Sequence, residues 1–338
     1  MRDVAERAGV SVTTVSHVIN ETRNVNPSTR QRVEEAMHYL GYQPNVLARS
    51  LRKGKTHTIG IILPDSTNPY FAEVVRGVED SSFSQGYSVI LCNSDNDLEK
   101  ELLYTNVLLE KQVDGIIMVA AGSSGEIVHY LQDRDVPLVL VDRRLANIEA
   151  DYVLANNLKG GLLATNHLID LGHQAIACIA GPVDVELSRE RVAGYRQALE
   201  TAGINICERW IVEGDFQYQS GYDAARVLFE GEPQPTAIFA CNDLMAIGAY
   251  RYAHEKDYQI PKQLSIVGFD DVSLAAYTNP PLTTVRQFKH KMGTLAARLL
   301  LERMNQRDLA PRLEVLDTEF VVRDSTTRSL QMERELKV

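Results

Sequence analysis

Residues 2–20 read Arg2-Asp3-Val4-Ala5-Glu6-Arg7-Ala8-Gly9-Val10-Ser11-Val12-Thr13-Thr14-Val15-Ser16-His17-Val18-Ile19-Asn20, and their spacing decides the N-terminal architecture. Val4, Ala5 and Ala8 share one face of a short helix over 2–8. Gly9 suits the left-handed backbone of a tight interhelical turn. Val10 follows as a buried anchor, and Ser11 is an N-cap for a second helix over roughly 12–19. Val15, Val18 and Ile19 fall inward at i, i+3 and i+4. Thr13, Thr14, Ser16, His17 and Asn20 are left facing outward. Short polar side chains at the start of a helix suit base-edge contacts in a DNA major groove.

A third helix has clear stops. Asn26 caps it, Pro27 stands at its first position, and Val33, Ala36, Met37 and Leu40 form an apolar stripe that Gly41 closes. Three short helices with a glycine turn between the first two form a helix-turn-helix module. The segment from Pro44 to Gly54 is too short to hold a helix alone in water. Its basic end favours DNA, and Leu51 amid positive charge is the residue type used as a wedge between base steps. A flexible linker with an incidental leucine is the competing reading.

Charge supports the first reading. The chain carries a net charge of −10, but residues 1–55 hold nine Lys/Arg against five Asp/Glu, leaving 26 against 40 in the remainder. A basic head on an acidic body puts phosphate contacts on the head and keeps the body off DNA. With 338 residues, 44% hydrophobic and 24% charged, the chain is long enough for two or three globular domains. No apolar run approaches the ~20 residues that span a bilayer, and Met1 to Glu6 lacks the apolar core of a signal peptide. The expectation is a cytoplasmic protein with no membrane partner. Cys92, Cys178, Cys207 and Cys241 lack metal-ligand spacing and read as free thiols, three of them in apolar strand-like runs.

From Thr58 the pattern becomes strand then helix, repeated. Apolar runs at 59–63, 87–92, 115–119 and 137–141 form a first series, with helices over about 69–85 and 98–111. After Asn157 the pattern restarts, with strands near 175–180, 210–213, 237–240 and 265–268. Apolar strands alternating with amphipathic helices mean parallel sheets covered on both faces, here two doubly wound lobes of an α/β body. Ligands of such sheets bind beyond the carboxyl ends of the strands. Asn68, Tyr70 and Phe71 follow the first strand, and Asp142 and Arg143 follow the fourth. In the second series Arg191 opens a helix, Phe216 follows a strand, Asn242 and Asp270 end two more, and Gln287 lies near a crossover. Aromatic rings cover the apolar faces of a sugar, and Asp, Asn, Arg and Gln bind adjacent hydroxyls. A nucleotide site would want a glycine-rich phosphate loop, and no such motif is present. Asp95, Asp97 and Glu99 lack the glycine and terminal glutamate of a calcium loop, and His173 reads as a helix terminator.

Asp3-Val4-Ala5, Ala8-Gly9-Val10-Ser11, Thr14-Val15-Ser16-His17-Val18-Ile19-Asn20 and Leu47-Ala48-Arg49-Ser50-Leu51 together resemble the headpiece and hinge of the lactose/galactose repressor family. The likeness continues to about residue 328. Asn68-Pro69-Tyr70-Phe71, Asn242-Asp243-Leu244-Met245-Ala246 and Val267-Gly268-Phe269-Asp270 resemble the ligand shell of ribose-binding periplasmic proteins. The resemblance implies a homodimeric repressor without a cofactor, binding double-stranded DNA at a near-palindromic operator. Val12, Thr13, His17 and Arg23 would lie in or beside the major groove. Asn20, Asn45 and Lys53 would help hold the DNA backbone, and Leu51 would be the wedge. Asp142 and Asp270 would each take two sugar hydroxyls, while Arg143 and Arg191 bind hydroxyl or ring oxygens. The implied divisions are a headpiece 1–44, a hinge 45–56, a first lobe 57–156 plus 287–317, a second lobe 157–286 plus 318–328, and a charged tail 329–338. Within the family the likeness is greatest to ribose-responsive members, which implies D-ribose or a related pentose as inducer. Purine-responsive members carry tryptophan where this chain has Arg143, and a purine corepressor is the alternative. A sugar-modifying enzyme is a third reading, for which no nucleophile elbow, metal cluster or phosphate loop stands out. One departure is at the start: members of the family usually place a Thr or Ser cap before the first helix, and here Met1 stands there.

Overall fold

The computed structural model describes residues 1–20, 23–42, 55–119, 125–145 and 147–329. The chain separates into two compact units, Met1–His57 and Thr58–Val338.

The first unit is helical: α1 (Arg2–Ala8), α2 (Val12–Asn20) and α3 (Pro27–Tyr39). Seven small residues, Val4, Ala5, Ala8, Val15, Val18, Val33 and Ala36, form its buried core. Gly9 takes φ 62°, the left-handed turn its position calls for. Arg32 of α3 locks that turn, donating to Ala8 O from Nε (3.0 Å) and Nη2 (2.7 Å) and to Gly9 O from Nη2 (3.2 Å). Asn26 accepts from Ser28 N and caps α3. Met1 supplies no side-chain cap to α1. The third apolar stripe is shorter than expected, because Leu40 is 41% exposed. The helix stops at Tyr39, and Tyr42 N returns to Met37 O at 2.9 Å, so Tyr42 packs on the core instead of Leu40.

The second unit holds two six-stranded sheets. The first contains β1 (Thr58–Leu63), β2 (Ser88–Asn93), β3 (Gly115–Val119), β4 (Leu138–Val141), β5 (Asp151–Ala155) and β11 (Leu313–Leu316). Their order is β11-β5-β4-β3-β1-β2, and every pairing is parallel. The second contains β6 (Ile176–Ala180), β7 (Ile211–Glu213), β8 (Ala237–Ala240), β9 (Ser265–Asp270), β10 (Thr283–Arg286) and β12 (Glu319–Val321). Its order, β12-β10-β9-β8-β6-β7, repeats the first, except that β12 runs antiparallel to β10. Strands β1, β3 and β4 are buried almost throughout, which is why they read as unbroken apolar runs. The edge strand β2 is only partly buried, and it starts at Ser88 rather than Tyr87.

The helices of this unit are α4 (Pro69–Ser84), α5 (Leu98–Glu110), α6 (Gly125–Gln132), α7 (Asn157–Asp170), α8 (Glu186–Thr201), α9 (Tyr218–Glu230), α10 (Asp243–Glu255) and α11 (Lys289–Asn305). Asp97 caps α5 through Glu99 N and Lys100 N, so the acidic cluster is a strand-to-helix loop. Helices α4 and α11 meet backbone to backbone. A Cβ on Gly77 would stand 2.0 Å from His290 O, and one on Gly293 2.0 Å from Val74 O. Cys92, Cys178 and Cys241 are buried free thiols, with Cys207 half-buried. His173 is buried, with Nδ1 2.9 Å from Thr236 Oγ1 and Nε2 3.0 Å from Thr327 O, a structural role. Among the described residues no helix is long and apolar enough to cross a membrane, and no His/Cys/Asp/Glu group is placed to hold a metal.

Candidate effector cleft and DNA-reading helix

In the headpiece the Ser11 hydroxyl caps α2 by accepting from Thr14 N at 3.0 Å, and it meets Thr14 Oγ1 at 2.8 Å. Thr14 is therefore half-buried in the cap rather than turned outward. Val12 and Thr13 are exposed on the first turn, and Arg23 is exposed beyond the last. Ser16, His17 and Asn20 are half-buried, and Asn20 Nδ2 donates back to Ser16 O at 2.8 Å. The α2 N-terminus thus presents an aliphatic and a hydroxyl side chain. Asn45, Leu51 and Lys53 lie outside the described residues.

In the second unit a cavity of about 420 Å³ opens at the carboxyl ends of both sheets. It is lined by Asn68, Tyr70, Phe71, Asp142 and Arg143 from the first lobe. Arg191, Phe216, Asn242 and Asp270 reach it from the second. Gln287 stands behind this wall, its Nε2 donating to Asp270 Oδ1 at 2.7 Å.

Local structure explains each placement. Asn68 caps α4 by accepting from Tyr70 N at 2.9 Å, which starts the helix where its first turn meets the cavity. The buried Tyr70 hydroxyl donates to Asp142 Oδ1 at 2.7 Å. One acceptor position on Asp142 is therefore already filled, as one on Asp270 is by Gln287. Burial, then the adjacent Asp142, holds the Tyr70 phenol well above its ordinary range. Arg191 does not open a helix: α8 begins at Glu186, and Arg191 lies in its second turn. Its Nε donates to Asn157 Oδ1 at 2.9 Å, its Nη1 to Cys241 O at 2.5 Å, and its guanidinium stacks 3.8 Å over the Phe269 ring. Nη1 also stands 3.6 Å from Asp270 Oδ1. Arg143 is the contrast, since its Nε is buried with no hydrogen-bond partner among the described residues. Burial lowers its pKa from the ordinary arginine value. Asn242 caps α10 through Met245 N and donates Nδ2 to Phe216 O at 2.9 Å, which fixes the aromatic wall.

Asp142, Phe216 and Asp270 have φ of 73°, 67° and 109°. Side-chain-bearing residues pay of order 1–3 kcal/mol for such backbones, which cluster at ligand sites. The Phe216 ring fits because Gly181 leaves room; a Cβ there would stand 2.0 Å from Phe216 Cζ. Burial pushes the Asp270 carboxyl up to about 6, against the lowering pull of Arg191, Lys289 and Gln287.

Five polar lining residues escaped the sequence reading: Asp65, Asn96, Asp184, Asp215 and Gln217. Each follows a strand, so the same strand-end rule applied to every polar position would have found them. Gln217 Nε2 reaches Asp65 Oδ2 at 3.3 Å, a hydrogen bond across the mouth of the cavity.

Comparison with known proteins places the chain among regulators. Residues 1–45 match the family described as bacterial regulatory proteins, lacI family, and residues 165–326 match a periplasmic binding protein-like domain. The ribose operon repressor of Escherichia coli (strain K12) is 43% identical, covering 91% of this chain and 94% of its own length. The HTH-type transcriptional repressor PurR of Vibrio atlanticus (strain LGP32) is 42% identical, covering 98% of this chain and 99% of its own. Among solved structures, the lac repressor dimer bound to operator and an anti-inducer superposes with a TM-score of 0.87 at 29% identity, covering 96% and 98% of the two chains. A lacI-family regulator from Enterococcus faecium with bound ribose gives a TM-score of 0.72 at 32% identity, covering 80% and 99%.

Proposed function

This chain belongs to the lacI family of bacterial regulatory proteins, and we propose that its operator affinity is controlled by a neutral sugar, D-ribose or a related pentose, held in the cleft. It is a DNA-binding repressor with an effector-binding domain and not an enzyme. The single observation that carries the sugar reading is the lining itself: Asp65, Asp142, Asp184, Asp215 and Asp270 line the cavity together with Arg143, Arg191 and the rings of Phe71 and Phe216. Five carboxylates against two guanidiniums disfavour a phosphorylated or otherwise anionic ligand. They suit a molecule rich in hydroxyl donors with apolar ring faces. The buried, unpartnered Arg143 Nε supplies a donor for a hydroxyl or ring oxygen.

A purine corepressor is the second reading, supported by the 42% identity to a PurR protein. Against it stands Arg143, at the position where the resemblance puts tryptophan in purine-responsive members. Calorimetric titration with D-ribose, D-glucose, guanine and hypoxanthine decides between them. Saturable binding of ribose, with the purines silent, is the expected outcome, and purine binding with ribose silent would reverse it.

For the regulatory step, two chains assemble as a homodimer whose α2 helices read half-sites in successive major grooves. The segments carrying Leu51 meet in the minor groove, and sugar acts as inducer by separating them. Linkage between such sites is typically ~1–3 kcal/mol, so operator affinity falls about 5- to 150-fold on saturation with sugar.

A further inference from the structure

Asp270, the last residue of strand β9, and Asp271 after it are successive side-chain-bearing residues in the left-handed half of backbone space, at φ 109° and φ 51°. Such a turn persists only where its surroundings over-determine it. The two side chains have their own partners. Gln287 and Arg191 stand at the Asp270 carboxylate, while Arg286 Nε at 2.7 Å and Arg323 Nη2 at 2.5 Å hold that of Asp271. The main chain is held by a different group. Lys289, the first residue of α11, is 3% exposed, and its Nζ donates to Asp270 O and to Asp271 O, both at 2.7 Å. The same ammonium lies 3.6 Å from Glu73 Oε1 on α4, the helix whose first turn carries Tyr70 and Phe71.

A buried ammonium is costly unless its donors are satisfied. Here each contact goes either to the strained turn or to α4, whose first turn lines the cleft. We propose that Lys289 is a positioning residue of the effector site, holding the Asp270–Asp271 turn in its left-handed form and tying it to α4 so that Asp270 meets the ligand already aimed. This rests on the reading of the cleft as a sugar site. Lys289 does not line the cavity and acts on the sugar through Asp270.

A role in packing alone would change stability but not the aim of the Asp270 carboxylate, which is read as sugar affinity at a pH where that carboxylate is ionised. The groups facing that carboxylate are Arg191 from α8, Gln287 from the crossover, Lys289 from α11, Asp142 after β4, Asp243 of α10 and Tyr70 of α4. Removing one of its two cations raises the pH at which it ionises. The test is D-ribose affinity of the full chain, measured by calorimetry from pH 5 to 8, for wild type, Lys289→Met and Glu73→Gln. Lys289→Met is expected to bind at least about tenfold more weakly at pH 8, with the midpoint of its pH profile moved up by about one unit. Glu73→Gln, a change on a part-exposed helix face, frees the ammonium from its competing carboxylate and moves the midpoint down by a few tenths of a unit. Unmoved midpoints in both variants, or wild-type affinity in Lys289→Met, would overturn the proposal. If Lys289→Met does not fold, an unmoved midpoint in Glu73→Gln is sufficient to reject it. A wild-type chain that binds no ribose removes the reading of the cleft instead.

Discussion

The headpiece and the body place polarity on opposite sides of their cores. In the headpiece seven side chains no larger than valine are buried, and the polar groups of α2 sit outside them. In the body, aspartates and an arginine are taken inside: Asp142, Asp270 and Arg191 are 7%, 4% and 3% exposed. The difference follows from what each must recognise. A DNA groove is read from outside by a rigid surface, so a minimal core suffices. A small ligand must be surrounded and its water removed, so charges are buried and their backbone is held off its preferred conformations. Only a large core can sustain that, and the two sheets provide it.

The separation makes distinct demands on single substitutions. The largest effect belongs to Asp270→Ala. Two hydrogen bonds from a charged acceptor at about 1.5–3 kcal/mol each put the loss of sugar affinity at two to four orders of magnitude. Operator binding without sugar should stay intact, and a variant that lost both functions equally would break the comparison. Next comes Val15→Ala, which hollows a fully buried headpiece position. Loss of two methyl groups costs about 2–3 kcal/mol in a core with little reserve. Calorimetric melting should show the headpiece unfolding earlier while ribose affinity is unchanged.

A pH titration sharpens the same contrast. The Asp270 carboxyl is raised to about 6 by burial, and its ionised form is the one proposed to accept sugar hydroxyls. Ribose affinity should be level above that point and fall about tenfold per pH unit below it. The sign for folding is opposite. A carboxyl pushed up in the native state binds its proton more tightly there, so this group adds stability as pH falls from about 6 towards the ordinary carboxylate range. The smallest effect is Tyr70→Phe, which removes the phenol that steadies Asp142. A change of about 1 kcal/mol, roughly fivefold in ribose affinity, is expected at constant fold.

What the sequence disclosed follows the same division. The headpiece was legible because its signals are local: Gly9, the Ser11 cap, the Asn26-Pro27 start and a 3.6-residue period. The exceptions are Leu40, which turned on one residue of chain direction after Tyr39, and Thr14, which the Ser11 cap draws inward. In the body, the strand-end rule found eight lining residues because each follows or caps an apolar run. Arg191 was placed at a helix start because α8 announces its own poorly, with Val185 before it offering no side-chain cap. Strands β5, β10, β11 and β12 passed unnamed. They are three to five residues long, and their pairing joins positions up to about 160 residues apart, which no local period reports. The Lys289 contact to the β9 turn was invisible for the same reason.

The proposed function has a sugar in the cleft govern DNA binding by the headpiece. It is tested most directly by fluorescence anisotropy on a labelled duplex that the protein has itself selected from random sequence, titrated with D-ribose at pH 7.5. The expected result is a saturable loss of operator affinity of about 5- to 150-fold that Asp270→Ala abolishes. Operator affinity that stays constant through saturating ribose, while ribose binding is confirmed in the same sample, would contradict it.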